Sequence, residues 1–177
     1  MKFLSDVRLL LIGLWLGAAV FFIAVAQSSF AVLPSRELAG SVVSRTLLIL
    51  NVGGLVIGLI LLASSFFKRL DVKPLWLWTE RLLIVILTAA CAVGQFVIGL
   101  WMSWIRAQLG RPIEEVAVDD PLRIQFDNLH QYSEWVLMAA MFAALILFFL
   151  IARTAVVKVV EKKNEFGIDP NLFKTPQ

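Results

Sequence analysis

An all-α integral membrane protein, a four-helix transmembrane bundle with both termini cytoplasmic, is the fold class that three observations predict. The 177 residues are 60% hydrophobic and 16% charged, with a mean hydropathy of +0.86. A soluble domain carries about 25% charged residues. Four apolar stretches, at 7–30, 46–67, 82–105 and 135–157, each reach the roughly 20 residues that a helix needs to cross hydrocarbon. Lysine and arginine are divided unequally between the two sets of loops. None of the stretches contains proline, and lipid excludes open sheet edges because their backbone groups go unpaired.

Lys2 and Arg8 flank the apolar part of the first stretch, 7–30. It also has the outline of a secretory leader, with Ala24, Val25 and Ala26 before Gln27 as a small-x-small cleavage site. Its apolar run exceeds the 7–15 residues of a leader, which favours a retained span. Pro34 ends this helix, and the 31–45 connection is short. The second span carries Gly54 and Gly58, four apart, a spacing at which helix backbones approach closely. The third span is followed by the long acidic connection 106–134, with Glu114, Glu115, Asp119, Asp120, Asp127 and Glu134. Asp119 or Asp120 ahead of Pro121 is a helix start, a capping carboxylate before proline in the first turn. A helical extension over 121–134 therefore leads into the fourth span. Residues 1–160 form one transmembrane domain, and 161–177 a polar cytoplasmic tail.

Orientation follows from the basic residues. Lys2, Arg8, Lys68, Arg69, Lys73, Arg81, Arg153, Lys158, Lys162, Lys163 and Lys174 fall on one side, eleven in all. Arg36, Arg45, Arg106, Arg111 and Arg123 make five on the other. This predicts an inner (plasma) membrane protein with both termini inside. Trp76 and Trp78 suit an inner aromatic belt, and Trp101, Trp104, Tyr132 and Trp135 an outer one.

At 100° per residue the less apolar residues of each span share a face. Gly13, Gly17, Val20, Ala24 and Gln27 align in the first, and Asn51, Gly54 and Gly58 in the second. Thr88, Cys91, Gln95, Gly99 and Met102 align in the third. In the fourth, Asp127, His130, Gln131, Glu134, Met138 and Met141 fall within one arc. The plainest reading is a bundle interior, with Gly13, Gly17, Gly54 and Gly58 packing helices and amides joining them. Depth adds to it, since Gln27, Asn51, Gln95, His130 and Glu134 all fall in the outer half. The candidate binding residues of an outward-opening polar mouth are thus His130, Glu134, Asp127, Gln95, Asn51 and Gln27. Arg45 joins them as a partner for Glu134 across the mouth. Trp15 lies about two turns inside its span, beside Gly13 and Gly17, deeper than a belt.

His130 is the only histidine, of the residue type that ordinarily titrates near neutral pH. A single histidine rules out a haem held by two histidines within one chain. With Met102, Met138 or Met141 it could hold one copper ion, and Asp127, His130 and Glu134 could chelate zinc. Methionines on a helix face more often pack, and a solvated charged face accounts for the acidic pair. No H-E-x-x-H pattern, phosphate-cradling loop or nucleophile elbow is present. One cysteine, Cys91, allows no internal disulfide. No basic tract interleaved with aromatics points to nucleic acid. The expectation is no enzyme, no cofactor and no metal. It is a module that meets the lipid bilayer and binds a membrane protein partner or a lipid at the polar mouth, while Gly54 and Gly58 also permit a homo-oligomer. The alternative is small-solute transport or copper handling through the same mouth.

Several landmarks together resemble the family of domain of unknown function 4149, related to transmembrane protein 205. They are Gly13-Leu14-Trp15-Leu16-Gly17, then Leu33-Pro34 and Ala39-Gly40, then Phe126, Leu129, His130 and Ser133 leading into the fourth span. The resemblance implies a four-span bundle and no established activity. The acidic stretch 110–120 departs from the pattern.

Overall fold

The structure, a computed structural model, describes residues 2–66 and 74–165, with side chains for 3–66 and 74–153. The described residues are helical without strands, and four of the helices are long and apolar enough to cross a membrane. The chain is therefore a multi-pass membrane protein whose outward faces meet lipid. Helix α1 spans Lys2–Val32, α2 Arg36–Ser65, α3 Pro74–Ala92, α4 Leu100–Leu109 and α5 Pro121–Glu165. A π turn, Val93–Gly99, joins α3 to α4 in one continuous span, and a 3₁₀ turn, Ile113–Glu115, interrupts the connection to α5. Most of the tail 161–177 lies outside the described residues, as do 67–73 with Lys68, Arg69 and Lys73.

Local chemistry sets the helix ends. Ser35, in extended backbone, accepts from the Leu38 N–H at 3.2 Å and caps α2, with Glu37 in the first turn, as a helix N-terminus favours. The α2 helix thus starts well before the apolar run at 46. Asp120 Oδ1 accepts from the Leu122 N–H at 2.8 Å and sets the start of α5 at Pro121. Gly110 closes α4 at φ +60°, the left-handed cap that glycine adopts without strain.

The helices pack in the ring α1–α2–α3–α5, so that α1 faces α3, and α2 faces α5, across the diagonals. The main core joins Ile12, Trp15 and Ala19 of α1 and Leu50 and Leu61 of α2 with Ile84 and Leu87 of α3 and Ala140, Ala144 and Leu147 of α5. Large aliphatic and aromatic side chains such as Phe21, Leu59, Phe142 and Phe149 point outward. Large apolar side chains thus occur on both sides, as expected where lipid tails are as apolar as leucine, and small residues mark only the closest helix crossings. A second, smaller core of Ile98, Ile105, Phe126 and Leu129 binds α4 to the start of α5.

Two glycines hold the tightest crossings. A Cβ on Gly54 would lie 2.4 Å from Trp15 Nε1 and 2.5 Å from Cys91 Sγ, and one on Gly58 2.2 Å from Thr88 Oγ1. A Cβ on Gly13 would lie 3.4 Å from the Phe148 ring, an ordinary contact, whereas one on Gly17 would meet open space. Of the four packing glycines expected, Gly17 is the exception, because the buried face of α1 runs through Arg8, Ile12, Trp15, Ala19 and Phe22 instead.

Candidate functional site

Two ends of the bundle differ in chemistry. The loop end carries the 33–35 and 110–120 connections, and the terminal end carries the start of α1 and the end of α2.

At the loop end, α5 rises from Pro121 with Phe126 and Leu129 buried against α4. The opposite face is exposed and polar. Asp127, His130, Gln131 and Glu134 all lie on it, with Tyr132 and Trp135 exposed alongside. His130 Nε2 stands 3.5 Å from Glu134 Oε1, one turn on, with side chains 52% and 63% exposed. Such an exposed pair contributes little to stability. The arc expected to face the bundle interior is thus corrected: Asp127, His130, Glu134 and Met138 turn away from it. For Asp127, His130 and Glu134 the reason is that their stretch stands beyond the apolar run, so polar side chains seek water and Phe126 and Leu129 seek the core, whereas Met138, inside the run, faces outward like its apolar neighbours.

The other candidates scatter. Gln27 is exposed at the end of α1, and Gln95 is half-buried in the π turn. Arg45 is exposed and makes no ion pair among the described residues, so the expected pairing with Glu134 is replaced by the Glu134–His130 contact. In its stead Arg106 ties this end together. Its guanidinium lies 5.0 Å from the centre of the Phe126 ring and donates to Ser44 Oγ at 3.4 Å, which links α4 to α5 and α2.

Trp15 and Asn51 lie inside. Trp15 is 3% exposed and its Nε1 donates to Leu50 O at 3.1 Å, so the indole serves the contact with α2. Asn51, 5% exposed, lies over Gly94, where a Cβ would come within 3.1 Å of its Nδ2. Its carboxamide faces a cavity of about 10 Å³ lined also by Leu47, Ala90, Ser133, Val136, Leu137 and Ala140. Of the expected mouth residues, Asn51 alone lines this cavity.

The terminal end holds a feature that sequence reasoning missed. Arg8 and Glu80, 1% and 2% exposed, form an ion pair through Arg8 Nη2 and Glu80 Oε1. It spans the α1–α3 diagonal. Arg81 Nη2 donates to Ser65 O at 3.1 Å, satisfying a carbonyl at the end of α2, and its guanidinium lies over the Phe66 ring. Buried Ser64 and Ser65 complete this polar end. A signal was present: Arg8 lies six residues from the start of α1 and Glu80 six from the start of α3. Two helices rising in the same direction bring such residues to one depth, about 9 Å inside at 1.5 Å per residue. Counting Arg8 as a flanking charge concealed the pair.

Among the described residues no group of three His, Cys, Asp or Glu side chains is placed to hold a metal ion. Residues 10–111 match the family model described as domain of unknown function (DUF4149). That match takes in Gly13 to Gly17 and Leu33 to Gly40; the stretch from Phe126 to Ser133 lies beyond it. Neither the curated proteins nor the solved structures contain a match to the chain.

Proposed function

The chain belongs to the family of domain of unknown function 4149, and from that footing we propose that it is a non-catalytic membrane module that binds a partner protein through the projecting part of α5. One observation carries the reading: the polar face of this stretch is free of the bundle. Phe126 and Leu129 meet the requirements of packing, which leaves Asp127, His130 and Glu134 exposed beside Tyr132 and Trp135. Exposed amphipathic aromatics such as Tyr132 and Trp135 are side chains that protein interfaces favour, with polar groups at the rim. The division of lysine and arginine between the loops supports an outward-facing position for this surface, with both termini cytoplasmic in a plasma membrane.

Photo-crosslinking in native membranes tests it. A benzophenone side chain in place of Gln131 should yield a discrete protein adduct, lost when Glu134→Lys is added. The same group in place of Phe149, which faces lipid, should yield none. Adducts with lipid alone from both positions would reassign the surface to lipid and sink the protein-partner reading.

A further inference from the structure

Asn51 lies in mid-span with its side chain nine-tenths buried, and its carboxamide makes no hydrogen bond with any described residue. Around it the cavity is mostly apolar, with Leu47, Val136, Leu137 and Ala140 on its walls. A buried amide in such surroundings costs more than immobilising one water molecule. The volume of about 10 Å³ is the space that one water occupies. The second polar side chain on the wall is Ser133. Its Oγ–H is committed to His130 O at 2.8 Å, so its lone pairs are left to accept. Gly94 completes the site, and it lies in the π turn, where the helix ladder passes from i−4 to i−5 spacing.

We propose that this cavity is a binding site for a single ordered water, held by the Asn51 carboxamide and the Ser133 hydroxyl beside the π turn. The water joins α2 to α5 across a diagonal of the bundle that direct helix packing leaves open. The inference is independent of partner binding at the exposed face of α5, since Asn51 and Gly94 take no part in that surface.

The test uses the full chain in lipid nanodiscs, at a resolution that shows ordered water, together with thermal melts of Asn51→Leu, Ser133→Ala and the double variant. Density within hydrogen-bond distance of both Asn51 and Ser133 is expected in the wild-type protein. Each single variant should lower Tm by about 2–4 °C, the shift of roughly one lost hydrogen bond in a chain of this size. The double variant should fall no further than Asn51→Leu alone, because both side chains act through one molecule. A dry wild-type cavity overturns the proposal. So does a rise in Tm for Asn51→Leu, the result expected when an unpaired buried amide is exchanged for a matching apolar chain. Should Asn51→Leu fail to fold, the wild-type density and the Ser133→Ala melt still decide.

Discussion

Replacing Gly54 with alanine adds one methyl group at the place where three helices meet. That methyl carbon would lie 2.4 Å from Trp15 Nε1, 2.9 Å from Trp15 Cε2 and 2.5 Å from Cys91 Sγ. Non-bonded heavy atoms settle at about 3.5–4.0 Å, so α2 must withdraw by about 1 Å from α1 and α3 together. Overpacking of this kind costs about 1–3 kcal/mol. The withdrawal also breaks the bond from Trp15 Nε1 to Leu50 O, worth about 0.5–1.5 kcal/mol. The sum, roughly 1.5–4.5 kcal/mol, corresponds to a fall in Tm of roughly 3–18 °C for a chain of this length. Gly53→Ala supplies the control, since it shares the helix and the gain in helix propensity but has nothing within 4 Å. Purified protein melted in detergent, followed by intrinsic tryptophan fluorescence, separates the two. Trp15→Phe in the Gly54→Ala background should recover part of the loss, because the indole nitrogen is the nearest obstacle. If Gly54→Ala and Gly53→Ala melt together, the close approach of α2 to Trp15 is wrong.

Other changes test the remaining contacts. Gly58→Ala should lower Tm comparably, and Thr88→Ala should restore part of it by removing the Oγ1 that lies 2.2 Å from the new methyl; absence of rescue argues against that α2–α3 contact. Arg8→Met should cost about 3–5 kcal/mol, the usual consequence of taking one partner from a buried ion pair, and an unchanged denaturation midpoint would show that Arg8 is not paired inside. Arg106→Gln should weaken the hold of α4 on α5 by about 0.5–2 kcal/mol through the lost contact with Phe126, which amide exchange in the Phe126–Leu129 turn would register. His130→Gln should leave Tm within about 0.5 kcal/mol of wild type in equivalent stability, as exposed positions do; a large loss would place His130 in the bundle instead.

The number of helices, their approximate positions and their membrane nature were legible in the sequence because each rests on length and hydropathy alone. The orientation of each helix about its axis was harder to read. Within lipid, small and polar residues turn inward, and this rule locates Asn51, Gly54 and Gly58. Beyond the apolar run the rule reverses, so Asp127, His130 and Glu134 point away while Phe126 and Leu129 point in. Helix α5 crosses from one regime to the other without a break, and a single face drawn along it cannot hold in both. The π turn escaped for another reason. One extra residue in a helical turn leaves no mark in hydropathy, and Gly94 shows its role only when Asn51 is seen lying against it.

The Arg8–Glu80 pair has a consequence for how the chain is made. Synthesis delivers Arg8 long before Glu80, with the whole of α2 between them. Through that interval α1 carries a cation without its partner, and a long side chain in this position reaches back to the headgroups. The buried pair forms only after α3 has entered the bilayer, so α1 reaches its final depth late in assembly. A chain halted before α3 should sit shallower in the bilayer, so that a cysteine put in place of Leu9, with Arg8 kept, reacts with a membrane-impermeant reagent. In the completed chain the same position should be protected.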